Sequence, residues 1–272
     1  MRKAMAIILF LISVPSYVWG QQLTAFHRQS PKEYSYWLYQ PPGTSGQNED
    51  EDDATAAILS SISQPLLPVI VYLHGASLCG DNLDRVKRYG TIDAFLRRGL
   101  NFRAIVIAPL NPGGPWKPDR IMAIVDSVIV QKGGDPDRVS VLGMSLGGYG
   151  AMDLAQAYPD RIAAAMALCG GCTSKTYDGL AQVPLWIAHG TADRAVALGA
   201  SKGVVDRLKA DGKDNRLRYD WLEGCDHGFL ARYFYLYNTY FWLLSHSLTD
   251  PDRPVNREVE ISMGDLKKAY SR

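Results

Sequence analysis

The 272-residue sequence predicts an α/β fold, in which a mostly parallel sheet carries helices on both of its faces. Short apolar runs alternate along the chain with segments of helical periodicity, as is typical of such folds. A second observation is the segment 143–149, a Gly-x-Ser-x-Gly pattern that stands between an apolar run and a helical pattern. Hydrophobic residues make up 47% of the chain, which is enough for one domain with a substantial core.

The elements are expected in alternating order, starting with an early strand and ending with a helix. Strands are predicted at 33–39, 66–73, 104–108, 138–142, 163–168, 184–188 and 217–222. Broken helical turns are predicted over 82–98, and helices at 119–131, from 151 onward, around 204–208 and at 229–245. The acidic stretch 49–53 follows a Pro- and Gly-rich break and is interpreted as a solvated loop, because it lacks the glycine spacing of a calcium loop.

Both ends of the chain differ in composition from the middle. Arg2 and Lys3 precede the apolar run 4–14, and a small residue ends the segment at Gly20, which together predict a secretory signal peptide over 1–20. The run is too short for a spanning helix of about 20 apolar residues, so we expect cleavage rather than a membrane anchor. The prediction is therefore a secreted or periplasmic protein with a catalytic domain over 21–249 and a C-terminal tail over 250–272.

Ser145 lies at the centre of the Gly-x-Ser-x-Gly pattern. A strand followed by a tight turn and a helix lifts such a serine above the sheet, and the first amides of the helix face negative charge that develops there. A serine hydroxyl needs a base, and the base needs an acid that orients it. Asp193 follows the predicted strand 184–188, and His227 follows the predicted strand 217–222, so both are expected at the same edge of the sheet as Ser145.

Four blocks of sequence carry a resemblance to a known superfamily: VYLHGASLCGDN, VLGMSLGGYGAM, PLWIAHGTADRAV and GCDHGF. Their order resembles that of the α/β-hydrolases, and in particular the compact esterase and prolyl-oligopeptidase-like branch with feruloyl, acetyl-xylan and polyhydroxybutyrate-depolymerase-like esterases. The resemblance implies an α/β-hydrolase fold without a large cap domain. It also implies a catalytic triad of Ser145, Asp193 and His227, with the backbone amides of Ala76 and Leu146 as the oxyanion hole.

The same resemblance implies a secreted serine esterase that cleaves carboxylic esters through an acyl-enzyme, with no cofactor and no metal. Its expected substrate is a small-molecule ester or an acyl group linked to a plant polysaccharide. Trp116 and Phe229 are candidate substrate contacts, although for Trp116 packing of its loop against the core is the favoured interpretation. Two alternatives stay open: a serine peptidase of prolyl-oligopeptidase type, and a pseudoenzyme that binds carbohydrate or peptide without catalysis.

The net charge of +1 provides no argument for binding nucleic acid or an anionic membrane, and neither is expected as a partner. Nothing in the sequence defines the oligomeric state. Secretion favours at least one disulfide among Cys79, Cys169, Cys172 and Cys225, and Cys225 is its most plausible member because it lies close to His227. Two weaker interpretations are a redox pair of Cys169 and Cys172, and a zinc site formed by these two with His227.

Overall fold

The computed structural model describes residues 15–18, 21–41 and 65–269, with side chains from residue 23 onward. Within this part of the chain, nine strands form one sheet in the order β1-β2-β3-β5-β4-β6-β7-β8-β9. The strands are β1 Pro15–Val18, β2 Gln21–Phe26, β3 Ser35–Gln40, β4 Leu67–Leu73, β5 Ile105–Leu110, β6 Gly134–Met144, β7 Ala164–Leu168, β8 Leu185–Gly190 and β9 Leu217–Leu222.

The sheet is parallel from β5 across to β9 and antiparallel at its other end. β4 pairs in parallel with both β5 and β6, while β1, β2 and β3 form an antiparallel extension that joins β5. β6, β7, β8 and β9 then follow in parallel and in chain order. Because parallel strands end at one edge, the loops after β4, β6, β8 and β9 all open on the same side of the sheet.

Six α-helices lie within the described residues. They are α1 Thr91–Arg98, α2 Pro118–Lys132, α3 Leu146–Ala157, α4 Leu198–Ala210, α5 Tyr237–Leu244 and α6 Met263–Lys268. Shorter 3-10 helices span Ala76–Leu78, Leu83–Lys87, Leu180–Gln182 and Gly228–Tyr235. Of the described helices, none is both long and apolar enough to cross a membrane.

The helices cover both faces of the sheet, which divides the core into two clusters. Apolar side chains of α1, α5 and α6 pack on one face, and those of α2, α3 and α4 pack on the other. All seven residues of β4 are buried, because helices cover this central strand on both sides. The last strand, β9, is buried only at its first and last residues, as expected at an edge of the sheet.

The terminal segments differ in how far the structure describes them. Residues 1–14 and 19–20 of the predicted signal peptide, and the acidic loop 49–53, lie outside the described residues, while Pro15–Val18 form β1. The C-terminal tail packs on the domain as far as residue 269. Val255 and Leu266 are buried in the core cluster that contains α5, and Arg253 donates hydrogen bonds to the carbonyl oxygens of Pro159 and Ile162.

One expected helix is wrong in detail. The aromatic segment 229–245 is not continuous: a 3-10 helix, Gly228–Tyr235, ends before α5 begins at Tyr237. Leu236 between them is extended, with φ −113° and ψ 130°. The hydroxyl groups of Thr239 and Tyr240 donate to the carbonyl oxygens of Tyr233 and Phe234, so side chains satisfy carbonyls that a continuous helix would have paired with amides.

Candidate active site

Ser145 occupies the turn between β6 and α3 in a strained backbone conformation, with φ 61° and ψ −122°. The turn is closed by the amide of Ser145, which donates to the carbonyl oxygen of Leu168 at 2.8 Å. Glycine is required on both sides. A β-carbon on Gly143 would lie 2.1 Å from the carbonyl oxygen of Gly147, and one on Gly147 would lie 1.9 Å from that of Leu73. The Gly-x-Ser-x-Gly pattern therefore reflects backbone contacts too close for any side chain.

The loop after β4 passes directly beside Ser145. A β-carbon on Gly75 would lie 3.4 Å from the β-carbon of Ser145 and 3.1 Å from the hydroxyl oxygen of Tyr89. Ala76 begins the 3-10 helix of this loop, and Leu146 begins α3. The first amides of a helix have no acceptor within the helix. The helices therefore leave the amides of Ala76 and Leu146 available to donate to an oxyanion.

His74 does not compete with His227 as a base. Its ring is buried: Nδ1 lies 2.8 Å from the carbonyl oxygen of Gly75, and Nε2 accepts the amide of Asn111 at 3.0 Å. Burial lowers the pKa of His74 to about 4. The ring is therefore neutral near pH 7, and both of its nitrogens hold the loop that carries Gly75 and Ala76.

Asp193 and His227 are brought together at the carboxyl edge of the sheet. His227 Nδ1 lies 2.8 Å from Asp193 Oδ2, although the two residues are 34 positions apart in the sequence. The other oxygen, Oδ1, accepts the amides of Ala195 at 2.8 Å and Val196 at 2.9 Å. Burial alone would raise the pKa of Asp193, but the hydrogen bonds from Val196, His227 and Ala195 outweigh it and lower that pKa. A carboxylate held in this way orients an imidazole and stabilises its protonated form.

A second histidine lies beside the same carboxylate. His189 Nε2 is 3.4 Å from Asp193 Oδ2 and 3.0 Å from the carbonyl oxygen of Val196, while Nδ1 is 2.7 Å from the hydroxyl of Ser201. The imidazole is fully buried, and burial lowers its pKa. His189 thus connects the Asp193 loop to α4 and has a structural role.

Cys169 lies in this site, although the sequence placed it beside His227 only in the weaker zinc-site interpretation. It follows β7, has φ 44°, and puts its sulfur 3.5 Å from His227 Nδ1. Burial, followed by the nearby Asp193 carboxylate, raises the pKa of the thiol strongly. The sequence could not show that this thiol, without Cys172, meets both the imidazole and the Asp193 carboxylate.

The expected disulfide is not formed: Cys79, Cys169, Cys172 and Cys225 are all free thiols. Two of the sulfurs have other neighbours, since that of Cys169 meets His227 and that of Cys172 lies beside the Asp153 carboxylate. The alternative zinc site with Cys172 is also wrong, because the atoms that come together are those of Cys169, Asp193 and His227.

Trp116 is corrected from a substrate contact to a packing residue. Only 3% of its surface is exposed, and its indole donates to the carbonyl oxygen of His74 at 3.3 Å. The ring packs edge-on against His74 and Tyr34, and a β-carbon on Gly150 would lie 2.6 Å from it. Phe229 differs, because it is only partly buried and lies two residues after His227, with the Arg232 guanidinium 4.9 Å from its ring centre.

Comparison with known proteins agrees with the fold. The model of the dienelactone hydrolase family matches residues 116–240, which include the predicted nucleophile, acid and base. A thermostable esterase superposes with a TM-score of 0.62 and 21% identity over 83% of this chain. The chain has an α/β-hydrolase fold. It spans 63% of the length of that esterase.

Two further structures are similar to this chain in fold. An S-formylglutathione hydrolase from Staphylococcus aureus has a TM-score of 0.55 and 15% identity, covering 76% of this chain and 92% of that one. A mutant feruloyl esterase module from Clostridium thermocellum, complexed with sinapinate, has a TM-score of 0.55 and 12% identity, covering 89% and 91%. No curated protein matches this chain. The predicted fold class is confirmed, and the match to the dienelactone hydrolase family over part of the chain agrees with the resemblance seen in the sequence.

Proposed function

We propose that this protein is a serine hydrolase that cleaves carboxylic esters. The observation that carries the proposal is the 2.8 Å contact between His227 and Asp193, at the edge of the sheet where the strained turn presents Ser145. A hydroxyl on such a turn, an imidazole and a buried carboxylate are the parts that acyl transfer requires.

In the proposed reaction, the hydroxyl of Ser145 attacks the ester carbonyl while His227 takes up the hydroxyl proton at Nε2. Asp193 holds Nδ1 and stabilises the imidazolium. The amides of Ala76 and Leu146 donate to the oxyanion. In another hydrolase, removal of one such donor raises the activation free energy by about 2.7–4 kcal/mol. His227 then returns the proton to the leaving alcohol. Water hydrolyses the acyl-enzyme by the same steps in reverse.

The proposed substrate is a small or polysaccharide-linked acyl ester. The segment between β7 and β8 covers only residues 169–184 and contains a single 3-10 helix, Leu180–Gln182, so it is too short to form a separate cap domain. An uncapped site suits an acyl group attached to a bulky alcohol. Phe229 stays the proposed substrate contact because it is partly exposed beside His227.

We further propose that the protein acts outside the cytoplasm. This rests on the sequence alone: the basic start, the apolar run 4–14 and the small residue at Gly20 are typical of a cleaved signal peptide. Amino-terminal sequencing of the protein recovered from its native host would test it, and an intact residue 1 would contradict it.

The test of function combines labelling with a substrate screen. A fluorophosphonate should label the wild type and fail to label Ser145→Ala, whereas a Ser247→Ala control should label fully. Ser145→Ala should also lose several orders of magnitude in kcat, by comparison with about 10⁶-fold for nucleophile removal in subtilisin. Unlabelled wild type would indicate a pseudoenzyme and would overturn the proposal.

The screen should compare nitrophenyl acetate, methyl ferulate, methyl sinapate, a thioester and dipeptide amides. The proposal expects turnover of the oxygen esters that depends on Ser145. Turnover of amides without a preference for esters would instead favour the peptidase alternative.

A further inference from the structure

We propose that Cys169, Asp193 and His227 form an inhibitory binding site for a thiophilic divalent cation such as Zn²⁺. This inference adds a regulatory role to the same residues and so rests on the proposed function. One sulfur, one carboxylate oxygen and one ring nitrogen from these residues all lie within 4.8 Å of one another. Sulfur, nitrogen and oxygen are all common zinc ligands, and three protein ligands leave a fourth position open.

One of the distances between the ligand atoms already agrees with a tetrahedral metal, and a second needs a small adjustment. Zinc–sulfur and zinc–nitrogen bonds of about 2.3 and 2.0 Å place two such ligands about 3.5 Å apart at a tetrahedral angle. The observed separation of Cys169 Sγ and His227 Nδ1 is 3.5 Å. The Nδ1 to Asp193 Oδ2 distance of 2.8 Å must widen by roughly half an ångström, which a small rotation of the imidazole provides.

The backbone fixes two of the three ligands before any metal arrives. Cys169 is buried and has φ 44°, a left-handed conformation, and its amide donates to the carbonyl oxygen of Ala188 at 2.8 Å. The Asp193 side chain is fully buried and anchored at Oδ1 by two amides, which leaves Oδ2 to face His227. The imidazole is 27% exposed, so a cation reaches the cluster from the side of His227.

Binding the cation would stop the proposed reaction for a definite chemical reason. The cation takes the lone pair of His227 Nδ1, and a neutral imidazole bound through Nδ1 carries its proton on Nε2. Nε2 then has no lone pair with which to accept the proton of Ser145. The step is a ligand exchange without oxidation or reduction: water ligands leave the hydrated cation, and Sγ, Nδ1 and Oδ2 take their places. The thiol proton goes to solvent. The imidazole loses its Nδ1 proton and gains one at Nε2, so it stays neutral.

The experiment measures Zn²⁺ inhibition and metal binding separately. Ester hydrolysis by the wild type, Cys169→Ala, Cys169→Ser and the control Cys172→Ser is followed against buffered free Zn²⁺, each relative to its own rate with chelator. We expect Zn²⁺ to inhibit the wild type and Cys172→Ser reversibly. Both Cys169 variants should need at least about a tenfold higher Zn²⁺ concentration for the same inhibition, because the loss of even a group that only supports a metal ligand lowers metal affinity about 10–100-fold. Equal inhibition of all four proteins would overturn the inference.

Metal binding is then followed on the wild type and on Cys169→Ala with Cd²⁺, whose bond to a thiolate gives an ultraviolet charge-transfer band. We expect a band in the wild type that corresponds to one bound Cd²⁺ per protein and that disappears when Zn²⁺ displaces the Cd²⁺. The absence of this band from the wild type would contradict the inference even if the Cys169 variants do not fold. The two proposals fail in different ways. A Cys169-dependent band in a protein without esterase activity would contradict the proposed function alone, whereas active enzyme without the band would contradict the metal site alone.

Discussion

His227 Nδ1 lies 2.8 Å from Asp193 Oδ2, and this contact joins the loops after two neighbouring parallel strands. β8 and β9 pair from Leu185 with Leu217 to Gly190 with Leu222, so their carboxyl ends are level. The two loops therefore leave the sheet side by side. The register of the two strands therefore brings Asp193 and His227 together, although they are far apart in the sequence.

We expect Asp193→Asn to lower kcat by roughly 10⁴-fold, as the corresponding change does in a serine protease, with KM changed far less. The amide oxygen can still accept the amides of Ala195 and Val196. Its NH₂ group, however, would face Nδ1 and favour the wrong tautomer of His227. Steady-state kinetics on nitrophenyl acetate measures this effect.

Asp226 provides the matched control, because it is the other carboxylate near His227. Its Oδ1 accepts only the amide of Phe229, at 2.9 Å, among the described contacts, and the residue is exposed. Asp226→Asn should therefore retain kcat within a few-fold. A larger loss in Asp226→Asn than in Asp193→Asn would show that the acid of the triad has been assigned to the wrong residue.

The buried histidines predict that stability falls on mild acidification. His246 is 3% exposed, its Nδ1 lies 2.7 Å from the carbonyl oxygen of Trp242, and burial lowers its pKa to about 4. The unfolded chain takes up this proton near pH 6.5, so between about pH 6.5 and 4 it binds more protons than the folded chain, and the free energy of unfolding decreases as pH falls.

His246→Gln should reduce this slope, by up to about 3 kcal/mol across the interval if the whole difference in pKa is realised. Urea unfolding at several pH values between 4 and 7 measures it. The control is His27→Gln, because His27 is exposed. An unchanged slope in the His246 variant, or an equal change in both, would contradict the assignment.

The central part of the fold could be predicted from sequence because its strands are buried on both faces. β4 and β5 have fully buried runs of six or seven residues, which periodicity identifies without knowledge of their neighbours. The break at Leu236 was not predictable in the same way. It depends on hydroxyl groups of Thr239 and Tyr240 that bind carbonyls six residues earlier, and apolar periodicity does not detect such bonds.

The candidate site likewise combines residues that the sequence predicts with residues whose place depends on the assembled fold. Ser145, Asp193 and His227 could be predicted because each lies within a few residues after a predicted strand and their order along the chain is informative. The place of Cys169 depends on β7 lying between β6 and β8, which brings its carboxyl end between the serine turn and the Asp193 loop. Strand order is a property of the assembled sheet. The burial of Trp116 likewise depends on contacts with Tyr34 and Gly150, both distant in the sequence.

Trp116 and Phe229 should separate packing from substrate binding. Trp116→Ala removes a buried side chain and should cost about 3–5 kcal/mol in the free energy of unfolding. Phe229→Ala should cost less stability, since the ring is only partly buried, and should raise KM several-fold for aromatic acyl esters. Chemical denaturation and KM are measured for both variants, and a rise in KM confined to Trp116→Ala would contradict both assignments.

The C-terminal tail should contribute to stability through one face of α6. Leu266 is fully buried in the core cluster that contains α5, whereas Met263 on the same helix is 36% exposed. The tail is also anchored by Trp242, whose indole donates to the carbonyl oxygen of Asn256 at 2.9 Å. Leu266→Ala should therefore lower the free energy of unfolding by about 2–5 kcal/mol, whereas Met263→Ala should change it by no more than about 0.5 kcal/mol.

Thermal and urea unfolding of the two variants measure this difference. Because both substitutions lie in one short helix and introduce the same residue, helix propensity changes little between them, and burial is what differs. Equal effects, or a neutral Leu266→Ala, would mean that the tail does not pack on the domain in solution. Deletion of residues 250–272 should then be tolerated, whereas a packed tail predicts that the deletion lowers stability by more than Leu266→Ala alone.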